Sequence, residues 1–289
     1  MSNDNSPLTL EAFGQYETAW CPGCGNFGIL TALKQALVQA QLPPDRICLV
    51  SGIGQAAKTP HYLNAHVFNG LHGRALPVAT GIALAHPDLT VIVESGDGCV
   101  YGEGGNHFLA AIRRNIGITL LVHDNQVYGL TKGQASPTSW PGMVTKAQPH
   151  GVFASPFNPV GIAIALRANF VARGFSGDPT GLAHLIRQAL DHPGFAFVEI
   201  LQPCVSFNKV NTFKWYKEHS FALDESYDPT DWAAAMKMAF REDDRLPLGV
   251  LWKTNRPPYE AHFPAVANGL WKAEPPPPEQ IARLFDAYR

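Results

Sequence analysis

Buried strands and amphipathic helices alternate along the first two hundred residues of the chain. Apolar residues recur at helical spacing over 28–42, and 46–54 is a short apolar run that ends in Ser and Gly. The alternation continues with helices predicted over 73–88, 106–115 and 179–194 and strands over 89–98, 118–126 and 195–204. Each predicted strand is almost wholly apolar, which is typical of parallel strands buried on both faces. The pattern therefore predicts an α/β fold with a mostly parallel sheet and helices on both faces.

The character of the chain changes after about residue 205. Aromatic and charged residues mix over 206–231, and the DPTDW sequence at 228–232 predicts a helix capped by Asp or Thr. The EPPPP sequence at 274–278 predicts a stiff, extended linker before a terminal helix. We therefore predict an α/β domain over 1–205 and a C-terminal extension over 206–289, which packs on the domain or on a partner subunit.

Composition and charge narrow the classes of partner. Hydrophobic residues make up 46% of the chain and charged residues 16%, which indicates that partners cover part of the surface. The net charge of -2 argues against nucleic acid as the main partner. The N-terminal MSNDNSPLTL has no secretory pattern, and no run of about 18 apolar residues predicts a membrane span. Five cysteines are too few for a disulfide framework, so we expect a cytoplasmic protein with reduced thiols.

The stretch 91–131 carries the most informative pattern. One predicted strand ends in a GDG sequence at 96–98, and the strand that follows the next helix ends at Asn125. Because β-α-β crossovers are almost always right-handed, both loops should lie side by side at the carboxyl ends of neighbouring strands. Asp97, the Asn125 amide oxygen and the Val127 carbonyl are hard oxygen ligands of the kind that Mg²⁺ prefers. The glycines beside Asp97 allow a phosphate to approach the backbone closely.

Ordinary turns are the alternative for each half of this pattern. A lone GDG is weak evidence, since Gly and Asp are common turn formers. GDG at the end of one strand and Asn at the end of the next are far more specific together. We therefore interpret this stretch as a binding site for thiamine diphosphate and Mg²⁺.

Cys21 and Cys24 form a CxxC pair in the sequence WCPGCG. In a chain with reduced thiols this spacing indicates a metal site or redox chemistry more often than accident. A structural zinc site is poorly supported, because no second CxxC or suitably spaced His pair occurs. A redox disulfide is also poorly supported, since it would leave Cys204 and the GDG loop without a role.

A set of motifs extends from about residue 16 to about residue 255. In chain order they are WCPGCG, SGIG, LHGRALPVATG, GDG followed by GGNH, RRNI, DNQVYGLTKGQASPTS, PCVSFN and DPTD. Together they resemble the β subunit of the 2-oxoacid:ferredoxin oxidoreductases. Other thiamine enzymes share the GDG–Asn element but lack the cysteines and the YGLTKGQ.SPTS sequence. Only the two ends of the chain fall outside the resemblance.

The resemblance implies a reaction and its partners. Enzymes of this family convert a 2-oxo acid and coenzyme A to acyl-CoA and CO₂ and pass electrons singly to ferredoxin, or run the reverse carboxylation. A larger α subunit would complete the site and supply the glutamate that activates the aminopyrimidine of thiamine. We expect a dimer of such heterodimers, and overall resemblance favours 2-oxoglutarate over pyruvate as the substrate. Much of the substrate recognition should come from the α subunit.

The resemblance also implies which residues bind the cofactors. Those expected at thiamine diphosphate are Ile53, Gly54, Gln55, Ala56, His72, Gly96, Gly98, Cys99, Gly129 and Leu130, and those expected at Mg²⁺ are Asp97, Asn125 and Val127 through its carbonyl. His72 is either a hydrogen-bonded loop residue or a ligand of phosphate, and the resemblance favours phosphate. Lys58 is a candidate for the substrate carboxylate, with a solvated surface lysine as the alternative. Leu130 and Lys132 are candidates for shaping the pocket.

The family pattern holds a 4Fe–4S cluster with four cysteines, of which Cys21, Cys24 and Cys204 are present here. The remaining position is Gln55, and an amide is a poor iron ligand compared with a thiolate. Cys48 lies on a predicted strand too far from Gln55 to replace it, and we interpret it as a core residue. Cys99 is a hypothetical relocated ligand. The alternative is a three-cysteine cluster with water or another side chain as the fourth ligand.

Two other functions remain open at this stage. Gln55 favours a thiamine-dependent 2-oxo acid decarboxylase or synthase subunit that has lost its cluster. The CxxC pair alone is compatible with a non-catalytic, metal-binding interaction subunit.

Overall fold

A sheet of eight strands organises the computed structural model of the chain, which describes residues 7–267, 269–272 and 274–288. Within these residues the strands are β1 (Ile47–Ser51), β2 (His66–Asn69), β3 (Thr90–Gly96), β4 (Thr119–Asp124), β5 (Val127–Tyr128), β6 (Gln134–Ala135), β7 (Phe170–Phe175), β8 (Ala196–Leu201), β9 (Ser220–Ala222) and β10 (Leu246–Lys253). The helices are α1 (Asn26–Gln39), α2 (Ala75–Ala85), α3 (Gly105–Arg114), α4 (Pro159–Ala165), α5 (Pro179–Asp191), α6 (Phe213–His219), α7 (Trp232–Ala239), α8 (Pro264–Ala267) and α9 (Pro278–Asp286).

The strand order of the main sheet is β2-β1-β3-β4-β8-β7-β10-β9, and β5 and β6 form a separate hairpin. Neighbouring strands of the main sheet are parallel except β7 and β10, which are antiparallel. The strands β1, β4, β7 and β8 are buried along their whole length, which is typical of parallel strands covered by helices on both faces. The predicted α/β class with a mostly parallel sheet is confirmed.

Two apolar layers cover the sheet. Helices α2, α3, α4 and α7 pack on one face, where Phe108 contacts Phe195 and Phe197 edge to face. Helices α1 and α5 pack on the other face through residues at helical spacing, such as Ile29, Leu33 and Leu37 of α1. Burial of each large aliphatic side chain contributes about 1.5–3 kcal/mol, so these layers hold the strand ends in fixed positions.

Six parallel strands, β2, β1, β3, β4, β8 and β7, end at the same edge of the sheet, and their register decides which residues meet there. Gly96 pairs with His123, which places Asp97 beside Asp124. Asp124 pairs with Leu201, so the residues that follow β4 and β8 are also neighbours. The loops after β1 and β2 reach the same edge because both strands run parallel to β3.

The C-terminal part of the chain extends the sheet. Strand β10 pairs with β7 and β9, and Trp252 donates its indole N–H to the Ala168 carbonyl at 2.7 Å. Helix α7 begins at the predicted cap, since the Asp231 carboxylate accepts the backbone N–H groups of the first turn. The division at residue 205 stays a prediction, and its outer ends, residues 1–6 and 289, lie outside the described residues.

In the part of the chain that the structure describes, none of the helices combines the length and apolar character needed to cross a membrane.

Candidate functional site

A cavity of about 60 Å³ lies at the carboxyl edge of the sheet, and we call it the strand-end cavity. Its lining contains all of the residues that the sequence predicted for thiamine diphosphate and Mg²⁺, together with two that it did not. These residues are Ile53, Gly54, Gln55, Ala56, His72, Gly96, Asp97, Gly98, Cys99, Asn125, Val127, Tyr128, Gly129, Leu130 and Thr131. The structure thus brings the predicted residues together, while their roles stay predictions.

Asp97 is the buried carboxylate of this cavity. It begins a single π-helical turn (Gly98–Glu103), a conformation that often marks functional sites. Its Oδ2 accepts hydrogen bonds from the hydroxyls of Ser136 and Thr138, the latter at 2.8 Å. Burial raises the pKa of Asp97, and these hydroxyls with the backbone N–H groups of Gly98 and Asn125 oppose that rise. The donors therefore stabilise the ionised carboxylate that a cation needs.

Thr138 joins Asp97 to a second buried carboxyl group. Its hydroxyl lies 2.8 Å from Asp97 Oδ2 and 2.7 Å from Asp124 Oδ1. A hydroxyl has one proton, so the two carboxyl groups compete for it. Burial and then the nearby charges of Asp97 and Glu199 raise the pKa of Asp124 well above its ordinary value. Burial thus raises the pKa of both carboxyl groups, and side-chain hydroxyl donors oppose that rise more at Asp97, which accepts from two of them, than at Asp124, which accepts from one.

The donor set fits a magnesium ion. Asn125 Oδ1 accepts the Val127 N–H at 3.0 Å, which fixes the turn that carries both predicted oxygen ligands beside Asp97. The Asn125 backbone carbonyl accepts a hydrogen bond from Asn208, which anchors the same turn from the other side. One carboxylate with neutral oxygens is the kind of set that Mg²⁺ takes when phosphate and water complete its coordination.

The glycines of this cavity fit a bound diphosphate. A Cβ on Gly98 would lie 2.4 Å from Cε1 of Tyr128, so a larger residue does not fit there. Gly54 has φ +123, and nothing lies within 4 Å of a Cβ built on it, so its backbone is bare towards the cavity. Backbone N–H groups in glycine-rich loops, where no side chain stands in the way, commonly bind phosphate.

His72 lies at the rim of the strand-end cavity with two further polar side chains. Its Nδ1 is 3.1 Å from Glu103 Oε2, and the Tyr128 hydroxyl donates to the same oxygen at 3.3 Å. Burial and then the charge of Glu103 raise the pKa of Tyr128, so this phenol keeps its proton. The imidazole of His72 and the phenol of Tyr128 therefore contact the same carboxylate oxygen of Glu103, and both residues line the cavity.

Cys99 lines the strand-end cavity with its sulfur directed between the loops after β1 and β2. Its Sγ accepts the backbone N–H of Gly73 at 3.1 Å and that of Ile53 at 3.5 Å. A Cβ on Gly52 would lie 2.5 Å from this sulfur. The structure does not place Cys99 with Cys21, Cys24 and Cys204, so its assignment as a relocated cluster ligand gains no geometric support.

A second cavity, of about 30 Å³, is lined by the three cysteines that match the family pattern, and we call it the cysteine cavity. The turn between Cys21 and Cys24 is closed by a backbone hydrogen bond of 3.0 Å, and Cys204 enters from the end of β8. Ser206 donates to Cys21 Sγ at 3.2 Å and the Gln202 amide donates to Cys24 Sγ at 3.4 Å. All five cysteines of the chain are free thiols.

The three sulfurs of the cysteine cavity lie close enough to influence one another. Among the residues that the structure describes, no three His, Cys, Asp or Glu side chains are grouped to hold one metal ion. Burial raises the pKa of the Cys24 thiol, followed by the proximity of Cys204 and Cys21, so the three sulfurs share one electrostatic site. An iron–sulfur cube spaces its thiolates more widely than a zinc ion does, and hydrogen bonds to sulfur are typical of such sites.

Gln55 stands between the two cavities. It lines both of them, as Asn125 and Gly129 do, and we call these three residues the shared wall. The Trp20 indole donates to the Gln55 carbonyl at 2.9 Å and packs edge to face on Tyr62. Trp20 and the shared wall thus both line the cysteine cavity, in which Cys21 is exposed and Cys24 and Cys204 are partly buried.

The two lysines that the sequence analysis named as candidates, Lys58 and Lys132, lie outside the lining of the strand-end cavity. Lys58 lies half-buried in the 3₁₀ turn Ala56–His61 and does not line the strand-end cavity, and Lys132 is exposed at a left-handed backbone position. Four residues that the sequence analysis did not single out contact the site: Ser136, Thr138, Gln202 and Ser206. The signal that could have found them is their place in the sequence, because Ser136 and Thr138 belong to the SPTS motif, Ser206 belongs to PCVSFN, and Gln202 directly precedes the latter.

Comparison with known proteins agrees with this geometry. Residues 50–200 match the family described as thiamine pyrophosphate enzyme, C-terminal TPP binding domain. Residues 204–268 match the family described as the C-terminal part of the pyruvate ferredoxin oxidoreductase beta subunit. The chain is 43% identical over 270 residues to 2-oxoacid:ferredoxin oxidoreductase 2, subunit beta, of Aeropyrum pernix, covering 89% of this chain and 87% of that protein.

Two further relatives carry a narrower name. The chain is 48% identical over 192 residues to the 2-oxoglutarate oxidoreductase subunit KorB of Mycobacterium tuberculosis, covering 66% of this chain and 52% of that protein. It superposes with a TM-score of 0.88 at 36% identity on a 2-oxoglutarate:ferredoxin oxidoreductase from Magnetococcus marinus, solved with 2-oxoglutarate, coenzyme A and succinyl-CoA bound. That match covers 96% of this chain and 99% of the other.

Proposed function

Because this chain belongs to the family of 2-oxoacid:ferredoxin oxidoreductase β subunits, we propose that it binds thiamine diphosphate, Mg²⁺ and a 4Fe–4S cluster in such an enzyme. The enzyme converts a 2-oxo acid and coenzyme A to acyl-CoA and CO₂ and delivers electrons singly to ferredoxin, or carries out the reverse carboxylation. The observation that carries this proposal is the shared wall, which separates a diphosphate-type cavity from a three-cysteine cavity by single residues.

The residues of the strand-end cavity divide the binding of the cofactor between them. Asp97 meets Mg²⁺ as an ionised carboxylate, while Asn125 and the Val127 carbonyl add neutral oxygens. Gly129, where a Cβ would meet no atom closer than 3.8 Å, leaves room for phosphate oxygens, and the imidazole of His72 supports them at the rim. When bound, thiamine diphosphate supplies the stabilisation of the electrons left by the departing CO₂.

The cysteine cavity would hold the cluster that accepts these electrons. Cys21, Cys24 and Cys204 supply thiolates, and the hydrogen bonds from Ser206 and Gln202 stabilise negative charge on two of the sulfurs. Trp20 lines the same space. These residues would therefore hold an electron acceptor next to the reaction.

We further propose that the cofactor site is completed by an α subunit, in a dimer of heterodimers. The strand-end cavity of about 60 Å³ is far smaller than the roughly 300–1,000 Å³ of ordinary ligand pockets. Exposed apolar side chains surround it, including Ile53, Leu71 and Leu130. A second subunit that covers these side chains would enclose the thiazolium and aminopyrimidine ends and contribute most of the substrate pocket.

We propose 2-oxoglutarate as the preferred substrate. The Mycobacterium tuberculosis and Magnetococcus marinus relatives are both named for this acid, and the second covers nearly the whole chain. Lys58, on the 3₁₀ turn after the shared-wall residue Gln55, is the cation of this chain proposed to face a substrate carboxylate.

Anaerobic assay of the co-expressed α/β pair tests the proposal. We expect viologen reduction that needs both a 2-oxo acid and coenzyme A, is faster with 2-oxoglutarate than with pyruvate, and accompanies bound thiamine and about four irons per heterodimer. Bound thiamine and CO₂ release without iron would instead support the non-redox decarboxylase or synthase. Bound metal without thiamine would support a non-catalytic binding subunit.

A further inference from the structure

We propose that the side-chain amide oxygen of Gln55 is the fourth ligand of the cluster, so that three thiolates and one neutral oxygen bind it. The inference rests on the proposed function, because it assumes that a cluster occupies the cysteine cavity. It goes beyond that function by giving the cluster one iron that differs chemically from the other three.

The position of Gln55 is the first observation. Cys21, Cys24, Cys204 and Gln55 line the same cavity, although they come from three separate parts of the chain. Gln55 itself belongs to the loop after β1, and its backbone carbonyl is tied to the Trp20 indole next to Cys21. The backbone of Gln55 is therefore fixed beside the residue that precedes the CxxC turn, and Gln55 lines the same cavity as the cysteines.

The second observation is an acceptor without a donor. The Oε1 atom of Gln55 is buried, and within the described residues no hydrogen-bond donor reaches it. A buried amide oxygen left unpaired costs about 1–3 kcal/mol, so such an atom usually has a partner. An iron atom at the open corner of a three-thiolate site would be that partner.

Gln202 lines the same cavity and is the competing candidate, since its own Oε1 is buried and unpaired among the described residues. Its amide nitrogen, however, points at Cys24 Sγ at 3.4 Å. A residue that donates a hydrogen bond to a ligand sulfur supports the ligand and does not itself bind the metal. Because the amide of Gln202 is planar, donating its nitrogen to Cys24 turns its oxygen away from that sulfur. The Gln55 side chain is not committed to a cysteine in this way and can present its oxygen to the iron.

The shared wall indicates which iron of the cluster would bind the Gln55 oxygen. Gln55 lines the strand-end cavity as well, so the iron that it binds is the corner nearest the proposed thiamine site. Neutral amide oxygen is a weaker ligand for cluster iron than thiolate, because iron in such clusters prefers soft sulfur. This corner is therefore the one that exchanges its ligand and releases its iron first.

Mössbauer spectroscopy and iron release on the anaerobic α/β complex test the inference. With ⁵⁷Fe, the wild type should show one iron in four with the signature of a hard ligand. Gln55→Cys should remove that distinct iron, while Gln55→Glu should keep it because a carboxylate also supplies oxygen. Gln55→Ala should release one iron to a chelator about tenfold faster than the wild type does, since it lacks the side-chain ligand.

Gln202→Ala is the matched control, because it removes the neighbouring amide of the same cavity. It should keep the distinct iron, because it removes only the hydrogen bond to Cys24 Sγ and no proposed iron ligand. The inference is overturned if the wild type has no distinct iron, if Gln55→Ala releases iron at the wild-type rate, or if Gln202→Ala alone removes the distinct iron. Absence of iron from every variant, Gln55→Cys included, together with no viologen reduction, would instead overturn the proposed function on which the inference rests.

Discussion

The strand-end cavity and the cysteine cavity share a wall but are assembled in different ways. The first takes its polar ligands from β3, β4 and the hairpin that follows, and hydrogen bonds join Asp97, Thr138 and Asp124 into one network. The second gathers sulfur atoms from the two ends of the α/β region, with Cys24 and Cys204 brought together only because α1 packs beside the end of β8. One site follows from neighbouring strands, whereas the other depends on the whole sheet order.

Their internal hydrogen bonding differs as well. Asp97 already has hydroxyl and backbone donors, so its carboxylate is oriented before any cation arrives. The cysteine cavity keeps buried oxygens on Gln55 and Gln202 that have no hydrogen-bond partner among the described residues. The comparison teaches that the protein preorganises the proposed magnesium site, whereas the proposed cluster site would be completed by what binds there.

Cys204→Ala should show the largest difference between its effect on binding in the cysteine cavity and its effect on binding in the strand-end cavity. We expect loss of essentially all bound iron, because one of three thiolates disappears, while the affinity for Mg²⁺ and thiamine diphosphate stays within about twofold of wild type. Iron analysis and calorimetric titration of the α/β complex measure the two effects. Cys48→Ala is the control, since Cys48 is buried in β1 within the core and should leave the iron in place. Retained iron in Cys204→Ala would contradict the ligand assignment.

Asp97→Asn should have the opposite selectivity. We expect the affinity for Mg²⁺ and thiamine diphosphate to fall by about 100-fold or more, because the only ionised ligand is lost, while iron content is unchanged. Asp124→Asn is the matched control. The Asp124 Oδ1 atom accepts from the Thr138 hydroxyl, and an amide oxygen can accept in the same way, so the titration of this variant should differ from wild type by only about threefold. Equal losses in the two variants would contradict the assignment of Asp97 as the magnesium ligand.

Gly98→Ala tests close packing in the strand-end cavity. The added Cβ would meet the Tyr128 ring at 2.4 Å, and overpacking of this kind costs about 1–3 kcal/mol. We expect roughly tenfold weaker binding of thiamine diphosphate by calorimetry. Gly105→Ala is the control, because nothing lies within 4 Å of a Cβ built there, and it should bind normally. Unchanged binding by Gly98→Ala would show that Tyr128 moves aside at little cost.

The smallest effect concerns stability and pH. Burial raises the pKa of Asp124, so the folded protein keeps a proton that the unfolded chain releases above its ordinary pKa of 3.8. The wild type therefore loses stability as the pH rises from the ordinary pKa of an aspartate towards the raised pKa of Asp124 in the folded protein. Asp124→Asn has no such group and does not lose this stability. In thermal unfolding without Mg²⁺ or thiamine, the variant's advantage should grow by roughly 2–4 °C from about pH 4 to about pH 8. An advantage that shrinks with pH would mean that Asp124 is ionised in the fold.

The sequence predicted the part of the fold that depends on local pattern. Strands β1, β3, β4 and β8 are continuous apolar runs, and each was predicted within a few residues of its observed bounds. Strand β7 was missed because Arg173 interrupts its apolar pattern. Its burial depends on the ion pair with Glu199 of the neighbouring strand, which only the folded sheet supplies.

The candidate site shows the same division. Asp97 and Asn125 were found because each directly follows a strand, and right-handed crossovers bring such positions together. Ser136 and Thr138 were missed because the β5–β6 hairpin, which returns them to Asp97, is only two residues long on each side. The direction of the Cys99 sulfur could not be predicted either, since it depends on backbone N–H groups of Gly73 and Ile53 from two other loops.

The shared wall of Gln55, Asn125 and Gly129 constrains the evolution of this chain. A substitution at any of the three alters both cavities at once, so its effects on the two cofactors will be non-additive with changes on either side. Adaptation to a different acid is consequently freer at rim positions such as Leu130, which line one cavity alone. An exchange of thiolate for amide at position 55 would then change the proposed active site and the proposed electron carrier together. Such a substitution would be pleiotropic, because one residue lines both cavities.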